Sequence, residues 1–233
     1  MKKINVLDKG YIRLVDVMGD DNTVINAARV SFDKEADRYT DEQNKRLIDF
    51  LAREGHDSPF RHAVLQFEVY APMTVTRQWE KYLIGSNNSE FGSRNESSRR
   101  YITENEEFYI PKANEWRSKP EASIKQGSGE PVNEDLGYKY TEVLREYIGE
   151  GELWYKNAIE DGIAPEQARL FLPAYGMYVR FRWTATLQTV AHLIKQRTAD
   201  DAQFEFRLYA EAIKELTLDK FPESLGALLK ERD

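Results

Sequence analysis

Two runs of strict alternation constrain the fold most. Ala63, Leu65, Phe67 and Val69 interleave with Val64, Gln66, Glu68 and Tyr70. A period of two puts alternate side chains on opposite faces of a strand, here one apolar face and one mostly polar. Val179, Phe181 and Trp183 interleave with Arg180, Arg182 and Thr184 in the same way. An apolar sheet face must be covered, and other stretches have the spacing of helices that can cover it. Leu187, Val190, Ala191 and Ile194 share one helical face, as do Phe204, Leu208 and Ile213. Strands and helices do not alternate regularly. The predicted fold class is therefore α+β, with an antiparallel or mixed β-sheet flanked by helices and residues 1–233 forming one domain.

Local signals place the remaining elements. Ile4 to Val17 reads as a strand interrupted at Lys9-Gly10 and stopped by Gly19-Asp20-Asp21. Asn22 or Thr23 is expected to cap a helix running towards Val30. Thr40 and Gln43 have capping-box spacing ahead of a helix through Leu47, Ile48 and Leu51. Pro72 suits the start of a helix from Met73 to about Leu83. The stretch from Ile84 to Ser98, rich in Gly, Ser and Asn, is expected to be a loop. A polar excursion covers residues 112–137, a helix spans Leu136 to Ile159, and Ala164-Pro165 opens a short helix to Leu172.

Composition excludes several chemistries. The chain has no cysteine, which removes disulfides, zinc–thiolate sites, iron–sulfur clusters and any cysteine nucleophile. Its net charge of −7 argues against a general nucleic-acid binder. No stretch approaches the ~20 apolar residues of a membrane helix. Met1-Lys2-Lys3-Ile4 leads straight into a strand-like run, so a cytoplasmic protein is expected. His56 and His62 lack metal-ligand spacing, and no metal is expected.

The densest cluster of candidate functional residues is Ser93-Arg94-Asn95-Glu96-Ser97-Ser98-Arg99-Arg100-Tyr101. Its guanidiniums match phosphate oxygens bidentately, although a solvated loop has the same composition. Gln78 and Lys81 share a helical face upstream. A Gln amide offers one donor and one acceptor edge, as a uracil reader needs. Gln188, His192 and Gln196 recur every four residues opposite the apolar face, with Arg197 at the helix end.

These phrases, taken together, resemble the flavin-dependent thymidylate synthase family along nearly the whole chain. Ala27-Ala28-Arg29-Val30-Ser31-Phe32 is a phrase of that family. Gly55-His56-Asp57-Ser58-Pro59-Phe60-Arg61-His62 is similar to its G-H-x-[ST]-P-F-x-H segment. Arg77-Gln78-Trp79 follows, and Asn95 to Tyr101 fits N-E-x-S-x-R-Y at every fixed position. Phe108-Tyr109-Ile110-Pro111, Ala168-Arg169, Leu172-Pro173 and the stretch from Arg197 to Gln203 extend the resemblance. There are departures. The family usually carries Arg-His-Arg just after R-Q-W, where this chain has Lys81-Tyr82-Leu83. The spacer to Ser98 is longer than the family's. A flavin-holding Asn-x-Arg corresponds to Thr186-Leu187-Gln188, and a family Asn one turn later to His192. Arg94 or Arg99 is the candidate replacement for the lost cations.

The resemblance implies reductive methylation of dUMP to dTMP. Methylenetetrahydrofolate is the implied carbon donor, FAD the cofactor and NADPH the reductant. No Gly-rich dinucleotide fingerprint is present, so the implied flavin site lies outside a Rossmann unit. It implies dUMP contacts from Gln78, Lys81, Glu96, Ser97, Ser98, Arg99, Arg100, Arg169 and Arg197, with Arg197 catalytic beside the uracil imide. It implies FAD contacts from Ser58, Lys81, Tyr82, Leu83, Asn95, Glu96, Gln188 and His192, and a homotetramer. Two rival readings remain open. One is a nucleotide-binding homologue without flavin chemistry; the other is an enzyme of the same fold acting on another pyrimidine nucleotide.

Overall fold

In the computed structural model, residues 2–32, 34–82, 94–97, 107–120 and 127–230 are described. A five-stranded sheet, all of whose pairings are antiparallel, forms the frame in the order β1-β2-β3-β5-β4. The interrupted N-terminal run folds as the hairpin β1 (Lys3–Val6) and β2 (Gly10–Met18). The two alternating runs are β3 (Val64–Pro72) and β5 (Tyr178–Thr186), neighbours that pair over nine residues from Val64↔Thr186 to Pro72↔Tyr178.

The helices are α1 (Asp21–Arg29), α2 (Asp41–Arg53), α3 (Met73–Trp79), α4 (Glu134–Glu160), α5 (Pro165–Ala168), α6 (Leu187–Arg197), α7 (Phe204–Leu218) and α8 (Pro222–Leu229). All but α4 and α5 contribute to the core on the sheet's apolar face, whereas Ile148 of α4 packs in a second, smaller cluster with Phe108 and Leu172. Trp79 anchors the core. Its ring stacks on Phe206 at 5.3 Å and meets Phe181 and Trp183 edge-on at 5.3 and 5.4 Å. Phe67, Phe181, Trp183, Leu187, Val190 and Ile194 belong to the same buried cluster. Gly10 lets helix and sheet approach closely. A Cβ there would lie 1.9 Å from the Tyr209 hydroxyl, which donates to the Tyr70 carbonyl at 2.7 Å.

Several expectations are corrected. Asp20, not Asn22 or Thr23, caps α1; Thr23 instead completes the capping box three residues on. Thr40 and Gln43 form the expected box. Helix α3 ends at Trp79, a turn before Leu83, which lies outside the described residues. Arg94–Glu96 is a strand, β4, on the β5 edge rather than part of a loop. The mostly polar face of β3 carries a buried charge. Glu68 is only 8% exposed, held by Arg13, Arg182 and the Tyr11 hydroxyl. Among the described residues, no helix is long and apolar enough to cross a membrane.

Candidate functional site

The site is built where α3, β4, α6 and the start of α7 meet. Antiparallel pairing of β3 with β5 delivers both strands into helices on the same side. Pro72 leads into α3, and Thr186 caps α6 by accepting from the Thr189 amide at 3.3 Å. The far ends of these helices carry the polar residues.

Arg197 closes α6. Its guanidinium lies 5.2 Å from the Phe206 ring centre and 5.5 Å from that of Tyr82, and its Nε donates to the Tyr82 hydroxyl. The Tyr82 hydroxyl donates to Gln196 Oε1 at 3.1 Å. Burial raises the phenol pKa; the nearby Arg197 charge opposes this but does not reverse it. Tyr82 therefore stays protonated and keeps its donor. His192 packs beside Tyr82 with ring centres 5.9 Å apart. Burial, with Lys195 nearby, lowers the imidazole pKa below its ordinary 6.5, so the ring is neutral near pH 7.

Gln78 lies one turn before Tyr82 and is tied to α7. Its Nε2 donates to Gln203 Oε1 and reaches the Thr74 carbonyl at 3.5 Å. Gln203 Nε2 donates to Glu205 Oε2 at 2.8 Å and to Thr74 Oγ1 at 3.2 Å. Described residues on either side of positions 121–126 reach the start of α7. Arg117 lies 5.2 Å from the Phe204 ring centre and donates to Ser128 Oγ at 2.7 Å.

Other expected residues are placed differently. Arg94 is not a free replacement cation. It pairs with Glu80 and Glu96 and stacks at 4.2 Å on Phe181. Asn95 and Glu96 are exposed on β4, and the Ser97 amide donates to the Arg180 carbonyl at 2.9 Å. Thr186, at the position where the resemblance implied a flavin-holding Asn, is a buried helix cap. Gln188 is held between Arg61 and Asp57, at 2.7 and 2.9 Å. Arg169 is not brought into this cluster; it is exposed in the turn after α5, and its Nε donates to the Glu166 carbonyl at 3.2 Å. Leu83, Ser98, Arg99 and Arg100 lie outside the described residues. Sequence reasoning missed Gln203 and Glu205, although the Gln203-x-Glu205 spacing at a helix start signals a polar pair.

An FAD needs donors for its diphosphate and hydrogen-bonding edges for its ring. Lys81, Ser58 and Asn95 are exposed, and Gln188 is oriented by a cation on one side and a carboxylate on the other. This donor chemistry fits the group.

The fold and the polar helix ends together define a class: α+β proteins with an antiparallel sheet and covering helices that carry clustered polar residues at their far ends. Known proteins make the class specific. The family model described as "Thymidylate synthase complementing protein" matches residues 13–223. A flavin-dependent thymidylate synthase of Thermosipho africanus is 37% identical over 97% of this chain and 93% of that protein. One from Thermus thermophilus is 38% identical over 94% of this chain and 75% of that protein. The solved structure of the UMP/dUMP methylase PolB from Streptomyces cacaoi, bound with 5-Br UMP, superposes with a TM-score of 0.80. It shares 25% identity and covers 97% of this chain and 96% of its own. The chain belongs to the flavin-dependent thymidylate synthase family.

Proposed function

We propose that the protein methylates dUMP to dTMP, taking its carbon from methylenetetrahydrofolate and its electrons from NADPH through FAD. The observation that carries this is the guanidinium of Arg197, held at the end of α6 by Tyr82, in a chain without cysteine. Uracil carbon 5 is a weak nucleophile, and thiolate addition is closed to this chain. When bound, FAD supplies the hydride and relays the folate methylene. The protein's own work is orientation and charge. Arg197, propped by Tyr82 and packed near Phe206, stabilises negative charge as it builds on the uracil imide. Gln78 meets the base edge. Lys81, Glu96, Ser97, Ser98, Arg99, Arg100 and Arg169 complete the nucleotide contacts. Ser58, Lys81, Tyr82, Leu83, Asn95, Glu96, Gln188 and His192 face the flavin. Ser98 orients rather than attacks.

Residues 1–233 act as one unit in a cytoplasmic homotetramer. Support for the tetramer comes from Arg169, which stands apart from the Arg197 cluster and is available to a neighbouring copy's site. Large apolar side chains beside it are also uncovered: Leu170 is 83% exposed, Tyr175 72% and Trp154 51%. The functional proposal is tested by supplying dUMP, methylenetetrahydrofolate, FAD and NADPH and measuring dTMP by chromatography. Sedimentation tests the tetramer.

One observation favours a second reading. The PolB structure is that of a UMP/dUMP methylase, so UMP is the rival substrate. Direct competition between UMP and dUMP decides between them.

A further inference from the structure

We infer that Glu205, acting through Gln203, fixes which end of the Gln78 amide meets the pyrimidine, and so selects uracil over cytosine nucleotides. The inference rests on the proposed placement of Gln78 at the base. The two ends of a carboxamide have the same shape, so only their partners decide which way it points. Here the partners form an ordered chain. The Glu205 carboxylate can only accept, and Gln203 Nε2 lies 2.8 Å from it. Thr74 Oγ1, 3.2 Å away, takes the second Gln203 proton. Gln203 Oε1 is thereby turned towards Gln78 and demands a donor. Gln78 Nε2 provides it and directs its other proton at the Thr74 carbonyl. Gln78 Oε1 has no partner among the described residues and is left as an acceptor for a ligand.

That acceptor distinguishes two bases. Uracil carries a hydrogen on N3, whereas cytosine presents a lone pair there. Turning Gln78 over to suit cytosine would set its oxygen against both Gln203 Oε1 and the Thr74 carbonyl. Two acceptor–acceptor contacts in a part-buried site oppose that flip. Glu205 is itself held in the first turn of α7, where the helix dipole favours a carboxylate. Gln203 and Glu205 are positioning residues: they act on the base only through Gln78.

The test measures dUMP and dCMP affinities of the full chain by calorimetry, with melting temperature as a check on folding. The wild type is expected to bind dCMP about 100-fold more weakly than dUMP. Glu205→Gln introduces an amide that can donate, so Gln203 and then Gln78 can turn over. The dUMP preference is expected to fall roughly tenfold. Gln203→Leu frees Gln78 and is expected to give the same fall; should it fail to fold, the isosteric Glu205→Gln variant decides alone. A merely structural role would weaken both nucleotides equally, and an unchanged ratio in a folded Glu205→Gln protein would overturn the inference. So would a wild type that binds dUMP without preferring it. A wild type that does not bind dUMP would overturn the functional proposal, and this inference with it.

Discussion

The Nε of Arg197 donates to the hydroxyl of Tyr82, across 115 positions of sequence. Tyr82 stands where the family usually has a histidine. The substitution therefore places a neutral, buried hydroxyl against the guanidinium where a histidine could carry positive charge. The cation at the end of α6 is held by a dipole and two aromatic rings.

Removing that cation is expected to slow chemistry far more than it weakens folding. Arg197→Ala should lower the single-turnover rate by about two to three powers of ten, the range seen when one preorganised donor is lost. Arg197→Lys should fail nearly as badly, since a point charge cannot reproduce a planar fork. Tyr82→Phe keeps the ring and removes only the prop, so a smaller loss of roughly tenfold is expected. Rapid-mixing measurements of flavin oxidation, read with melting temperature, check all three. A folded Arg197→Ala protein with the wild-type rate would refute the catalytic assignment.

Gly10 should tolerate no side chain. Its Cβ would meet the Tyr209 hydroxyl at 1.9 Å and backbone oxygens of Val6 and Tyr70 at 2.7 and 2.8 Å. Gly10→Ala is expected to cost about 1–3 kcal/mol, the usual range for overpacking. Denaturant unfolding measures it, and Tyr209→Phe in the same chain should restore part of the loss.

Two groups should shape stability against pH in separable windows. Burial pushes the Glu68 carboxyl up, but hydrogen bonds from Arg13 and Tyr11, with the charges of Arg13 and Arg182, outweigh it. The net pKa lies below the ordinary 4.5. Its contribution is present above pH 4.5 and lost as pH falls through the lowered folded value. His192 is also lowered, by burial first and then Lys195. The unfolded chain takes up that proton more readily, so stability is full above pH 6.5 and declines as pH falls towards the depressed folded value. Glu68→Gln should flatten the acid limb of a melting-temperature profile, and His192→Gln the limb just below pH 6.5.

Much of the frame was legible because its signals are local. The alternation in β3 and β5, the Thr40–Gln43 box and the apolar face of α6 each state their structure within a few residues. What escaped depends on distant partners. Arg94–Glu96 is a strand because β5 offers an edge, not because of its own composition. Helix α8 is eight residues long and gives periodicity little room. The family resemblance drew attention to Arg197 and Gln78, but neither Tyr82's grip on Arg197 nor Glu205's hold on Gln203 can be read from spacing. The neutralisation of Arg94 by Glu80 and Glu96 was hidden for the same reason.

The most direct test of the proposed chemistry is a single turnover of the FAD-loaded, reduced protein mixed with dUMP and methylenetetrahydrofolate. Flavin absorbance and dTMP should be followed together. Oxidation should require dUMP and yield one dTMP per flavin oxidised, with no thiol available to substitute. Tight dUMP binding with neither flavin uptake nor dTMP would contradict it.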